Sequence, residues 1–122
     1  MLFVLLVNFL TSMQSPSNSL DTWKGSSLPG KSFAEFTNFS GKQDFRIQVP
    51  PGTKKVKLKY EFKNILGELN FIIKSSSQVV LSKQISGNQK DEITFDKSPN
   101  VNYKFYLEGK KAQGSYMITY NN

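Results

Sequence analysis

The sequence predicts an all-β chain: a single antiparallel β-sandwich of seven to eight strands, jelly-roll-like in its layering. Three observations carry this. The first is alternation: in KKVKLKYEFK, residues 54–63, Val56, Leu58, Tyr60 and Phe62 take one face while Lys55, Lys57, Lys59, Glu61 and Lys63 take the other, the mark of a strand with one wet side. The second is punctuation, since clusters of Gly, Pro, Ser and Asn recur about every 11 to 14 residues. The third is an absence. No window holds a 3.6-residue period and no connection has room for a crossover helix, so parallel βαβ units are excluded.

The elements follow in order. Residues 43–49 alternate Phe45, Ile47 and Val49, and Pro50-Pro51-Gly52-Thr53 has the residues of a type II turn; with residues 54–63 they read as a hairpin. Residues 68–74 carry Leu69, Phe71 and Ile73; residues 78–85 carry Val79, Leu81 and Ile85; residues 92–96 carry Ile93 and Phe95. Residues 101–108 carry Val101, Tyr103, Phe105 and Leu107, and residues 115–120 carry Tyr116, Ile118 and Tyr120. Turns are expected at 64–67, 75–77, 86–89, 97–100 and 109–114.

A chain of 122 residues implies one domain. The expected division is a signal peptide at 1–19, a flexible lead-in at 20–32 and the β-sandwich at 33–122. Leu2 to Leu10 contains one polar residue, Asn8. Such a run is too short for a span, which needs about 20 apolar residues, and suits the core of an export signal, which needs about 7 to 15. Small residues favour a cut after Ser17 or Ser19. The n-region lacks Lys and Arg, and a buried strand or helix is the alternative reading of the same run. The lead-in is rich in Ser, Gly and Pro, with Trp23 and Leu28 as its docking points.

Composition removes several functions. There is no His and no Cys, hence no usual general base, no thiol chemistry and no common zinc ligand. The acids fall on wet faces or in turns, and Asp91, Glu92 and Asp96 lack calcium-loop spacing. No enzyme and no cofactor is expected. The net charge of +7 rests on Lys, with Arg46 the single arginine; Lys is a hydrated point charge rather than a base-reading fork, so sequence-specific nucleic-acid recognition is not expected.

Phe39-Ser40-Gly41, Gly67-Glu68-Leu69, a strand centred on Tyr103, and Gly114-Ser115-Tyr116 follow one another in a familiar order. Over about residues 33–120 this resembles small exported, lipoprotein-like β-sandwich proteins of Gram-positive bacteria, and it is distantly similar to bacterial pre-peptidase C-terminal domains. Leu10-Thr11-Ser12 likewise resembles a lipobox, with Met13 where the lipidated Cys would stand. The resemblance implies a non-catalytic secreted or cell-envelope module.

Two sets of surface residues are candidates for binding. Lys55, Lys57, Lys59 and Lys63 form a cationic stripe, with neighbours about 6.6 Å apart, suited to an anionic wall polymer or another surface protein; the same lysines would guard an exposed strand edge. Trp23, Tyr106 and Tyr120 are the aromatics for a glycan platform, Tyr106 being opposite in parity to Tyr103, Phe105 and Leu107. Their alternative role is amphipathic packing at the rim of the core. The leading expectation is a binding protein of the cell surface, with a carbohydrate-binding module or an oligomer-forming interaction domain as alternatives.

Overall fold

The computed structural model describes residues 22–121. The expected signal peptide therefore lies outside the described residues. Five strands follow in the chain: β1 (Thr22–Leu28), β2 (Lys31–Arg46), β3 (Lys55–Lys74), β4 (Val79–Asp96) and β5 (Lys104–Tyr120). They join in one sheet, in the order β1-β2-β5-β3-β4, and every ladder is antiparallel. The all-β antiparallel class follows from the alternation. The strand number differs, because segments 64–67, 86–89 and 109–114 lie inside β3, β4 and β5 rather than between strands.

The long strands do not run straight. Phe62 and Phe71 both belong to β3 and are nine residues apart, a separation of about 30 Å along an extended strand, yet their ring centroids lie 4.9 Å apart. Phe105 and Tyr116 of β5 repeat the pattern, with rings 6.5 Å apart. The sheet is therefore folded back on itself along a crease that crosses the strands. One layer holds β1, residues 31–37, 112–120, 55–63 and 87–96; the facing layer holds residues 41–46, 104–109, 69–74 and 79–85.

Bulges make the crease. The ladders slip between Phe36 and Gly41, between Asn64 and Leu69, and between Leu66 and Glu68. A slip of one residue exchanges the two faces of a strand. Hence β3 buries Val56, Leu58, Tyr60 and Phe62 at even numbers before the crease, and Leu69, Phe71 and Ile73 at odd numbers after it. In β5 the order is reversed, from Phe105 and Leu107 to Tyr116 and Ile118. Left-handed backbone marks the line at Asn38 (φ 51°), Gly67 (φ 78°) and Lys111 (φ 52°). The Asn64 amide donates to the carbonyls of Gly67 and Ile85, at 3.1 and 3.2 Å, and the Lys111 amide donates to Ser40 Oγ at 3.0 Å.

Two further expectations are corrected. From Thr22 on, the lead-in is strand β1, paired with β2 from Thr22↔Thr37 to Leu28↔Lys31; its Ser and Gly residues are tolerated on an edge, and Trp23 anchors it on Phe36 with rings 5.4 Å apart. The Pro50–Thr53 turn forms, with the Thr53 hydroxyl donating to Pro50 O at 2.6 Å, but its flanks do not pair as a hairpin. Pro50 and Pro51 have no N–H to give to a ladder. The chain instead passes from one layer to the other, held where Ile47 N donates to Tyr103 O and Gln48 N donates to Tyr120 Oη.

The aromatic interior holds a buried polar pair, Ser32 Oγ and Tyr116 Oη, 2.8 Å apart. Burial raises the Tyr116 hydroxyl far above its ordinary value, and the Ser32 hydrogen bond draws it back only in part. The folded state thus holds this proton more tightly than the unfolded chain does. The contribution is present in full below pH 10.0, the ordinary tyrosine value, and is lost as pH rises above it.

Three tests follow from this packing. Chemical denaturation as a function of pH will show stability falling above about pH 10, and Tyr116→Phe will lessen that fall while costing about 1–3 kcal/mol at neutral pH by leaving Ser32 unpartnered. Gly67→Ala would place a Cβ against the Lys111 carbonyl in left-handed backbone, so we expect a loss of about 3 kcal/mol. Lys111→Gly, which relieves the same backbone conformation, should be neutral or gain about 1 kcal/mol.

Candidate functional site

The fold places the sequence-derived candidates on different surfaces. Lys55, Lys57, Lys59 and Lys63 share the outer face of the five-segment layer. There β3 is paired on both sides, by β4 and β5, so its lysines guard no edge. They also do not form a bare cationic stripe. Lys55 stands opposite Asp96 and bonds it at 2.7 Å, and Lys57 reaches Glu92 at 3.3 Å. Lys59 is registered with Glu92, and Glu61 with Lys90. Solvated pairs of this kind contribute about 0–1 kcal/mol each; they offset part of the stripe's charge, while Lys63 stands opposite the neutral Asn88 and Ser115.

A shallow groove of about 420 Å³ runs over this patch, lined by Lys59, Glu61, Lys90, Glu92, Met117 and Thr119 among others. Tyr60 and Asp91 line it too, Tyr60 almost wholly buried, and two of its lysines face carboxylates across the β3–β4 ladder, Lys59 with Glu92 and Lys90 with Glu61.

The three aromatics separate as well. Trp23 packs inward against Phe36, Phe39 and Tyr116, with centroids 5.4, 5.2 and 6.2 Å away. Tyr120 is buried, its hydroxyl taken by Gln48 N at 3.1 Å, because it shares the parity of the core residues Tyr116 and Ile118. Neither forms a surface platform. Tyr106 does face outward: it lies on the four-segment layer, half-exposed, between the buried Phe105 and Leu107.

Register shows what surrounds Tyr106. Its row runs Asp44–Tyr106–Ile72–Ser82, from β2 through β5 and β3 to β4. On one side lies the row Lys42–Glu108–Asn70–Gln84, and on the other the row Arg46–Lys104–Lys74. With strands about 4.8 Å apart, Tyr106 and the half-exposed Ile72 make a flat apolar strip between hydrogen-bonding rows. Two ammonium groups lean over the ring, Lys42 Nζ at 5.2 Å and Lys74 Nζ at 4.7 Å from its centroid, within the range of cation–π attraction. Lys42 also meets Glu108 at 3.8 Å.

Parity in segments 68–74 and 101–108 puts Ile72, Lys74 and Lys104 on the Tyr106 side. The register that unites them with Lys42 and Arg46 is set by the crease and has no signal in the residue pattern. Among the described residues no group of His, Cys, Asp or Glu is arranged to hold a metal ion. No helix among them is long and apolar enough to cross a membrane.

No family model matches the chain, and no curated protein does. Among solved structures, it is similar to the C-terminal CBM6 of LamC, a marine laminarinase from Zobellia galactanivorans, at 13% identity and a TM-score of 0.46, over 83% of this chain and 93% of that one. It is also similar to a CBM4, at 10% identity and 0.46, over 85% of this chain and 78% of that one. A third similarity, at 8% identity and a TM-score of 0.43, covers 94% of this chain and 20% of BtGH115A, a family GH115 4-O-methyl-α-glucuronidase with specificity for decorated arabinogalactans.

Proposed function

We propose that the chain is a non-catalytic, exported β-sandwich binding module whose ligand is a polysaccharide, bound on the Tyr106 face. The observation that carries this reading is the Tyr106–Ile72 strip bordered by Asp44, Ser82, Asn70, Gln84 and Glu108. A sugar ring has C–H faces and a hydroxyl rim. An outward aromatic beside an apolar side chain receives the face, and donors and acceptors one strand or one row away receive the rim. The opposite surface has an exposed ring of its own, Phe33 beside Met117, but the flanking groove is lined mostly by charged side chains; the hydrogen-bonding rows on both sides of Tyr106 favour the Tyr106 side.

Chemistry on the bound sugar is not part of the reading. A carboxylate pair that cleaves glycosidic bonds needs one member withdrawn from water. Asp44 and Glu108, diagonal neighbours beside Tyr106, both face solvent, Glu108 with 40% of its side chain exposed beside Lys42. They serve as hydrogen-bond acceptors. Export follows from reading residues 1–19 as a signal, and a surface polysaccharide is the fitting partner for an exported module.

Affinity electrophoresis through gels holding single polysaccharides tests this. Wild type should be retarded by at least one of them, and Tyr106→Ala should lose about 2 kcal/mol of that binding with its melting temperature little changed. Trp23 is the chain's one tryptophan and is half-buried against the core on β1, away from the Tyr106 face, so its fluorescence should report unfolding and stay silent on binding. Retardation of Tyr106→Ala equal to wild type, or none for either protein, overturns the reading.

A further inference from the structure

The row beside Tyr106 breaks a rule that the opposite surface keeps. Arg46, Lys104 and Lys74 come from three adjacent strands, β2, β5 and β3, and are registered directly across from one another. Opposed residues on neighbouring strands have Cβ atoms about 4.5–5.5 Å apart, where like charges destabilise the sheet. On the β3–β4 surface the equivalent positions match opposite charges: Lys55 with Asp96, Lys59 with Glu92, Glu61 with Lys90. In the row beside Tyr106 three cations stand together, whereas Lys42, one row beyond the ring, is paired with Glu108 at 3.8 Å. Arg46 Nη2 donates to Asn102 Oδ1 at 3.0 Å, a neutral acceptor that removes no charge. Lys74 Nζ, 4.7 Å from the Tyr106 centroid, is drawn toward the place where a sugar would lie.

We infer that this row selects an acidic polysaccharide, its carboxylate or sulfate groups held by Arg46, Lys104 and Lys74 while the sugar ring lies on Tyr106 and Ile72. The inference rests on the reading of Tyr106 as a sugar platform and adds the ligand's charge. An anion in the row relieves the cross-strand repulsion, so part of the binding energy comes from strain already present in the free protein. Arg46 presents a planar fork suited to a carboxylate or sulfate, and the lysines supply adjustable point charges. Attraction of this kind is screened over about 8–10 Å at ordinary ionic strength, so salt weakens it.

The test compares matched polymers: polygalacturonate against fully methyl-esterified pectin, and dextran sulfate against dextran, with polyglutamate as an acidic chain without sugar. At low salt, wild type should bind at least one acidic polysaccharide about tenfold more tightly than its neutral partner, and which acidic polymer wins distinguishes carboxylate from sulfate. Lys74→Gln and Lys104→Gln should each remove most of that preference. Lys104→Gln should also melt at a higher temperature than wild type, an opposition between stability and affinity that a merely structural lysine would not give. The triple variant Lys55→Gln, Lys57→Gln, Lys59→Gln should bind as wild type does. Equal binding of acidic and neutral partners, still lost in Tyr106→Ala, overturns the inference and leaves the sugar platform standing. Binding of polyglutamate as tight as that of the acidic sugars and unaffected by Tyr106→Ala, or no binding of any polymer, overturns both.

Discussion

The fold depends on β3 doubling back so that Phe62 meets Phe71. An open five-stranded sheet of this length would leave one apolar face in water, and among the described residues no helix covers it. Creasing the sheet across its strands lets it bury that face against itself. Leu58, Phe62, Leu69, Phe71, Phe105, Leu107 and Ile118 all become fully buried as a result. The cost is concentrated on one line, where ladder bonds are interrupted and Asn38 and Lys111 take left-handed backbone. Asn64 and Ser40 side chains replace some of the missing main-chain bonds there.

The crease also decides what each outer surface carries. Each long strand contributes to both layers, and each bulge resets which residues face out. The result is two chemically different surfaces from the same strands. One has lysines offset in part by carboxylates across β3 and β4, with Phe33 and Met117 exposed beside them. The other gathers an outward tyrosine, an isoleucine and a row of unmatched cations. Packing does not require that second arrangement, since Phe105 and Leu107 fill the core on either side of Tyr106 without it. The proposed acidic ligand would give that row of cations its counter-charge.

Much of this was legible in the residue pattern, and the rest was hidden for identifiable reasons. Period-two alternation marks the inward set of β3 and β5, though it misses β1 and the first part of β2 and puts the exposed Val79 of β4 inside; the parity of Tyr106 against Phe105 and Leu107 places it outside. Alternation is local, however, and carries no register, so the neighbours of Tyr106 and the partners of the lysines on β3 could not be read from it. Asn-Ile-Leu-Gly at 64–67 has turn chemistry, but the positive φ that Gly67 permits serves a bulge as well as a turn. Pro50-Pro51 announced a reversal, and it is one; the lost N–H groups make it a passage between layers instead of a hairpin. Tyr120 has the parity of the core residues Tyr116 and Ile118, and the structure buries it with them.

The central claim is the crease, and ring-to-ring NMR contacts test it most directly. In a sample with selectively labelled Phe and Tyr, Phe62 should show a through-space contact to Tyr116, its cross-strand neighbour, and an equally clear one to Phe71, nine residues along the same strand. The first contact exists in any sheet with this register; the second exists only if β3 folds back. Observation of both is the expected result. A spectrum in which Phe62 contacts Tyr116 but not Phe71 would show an open sheet and contradict the two-layered account.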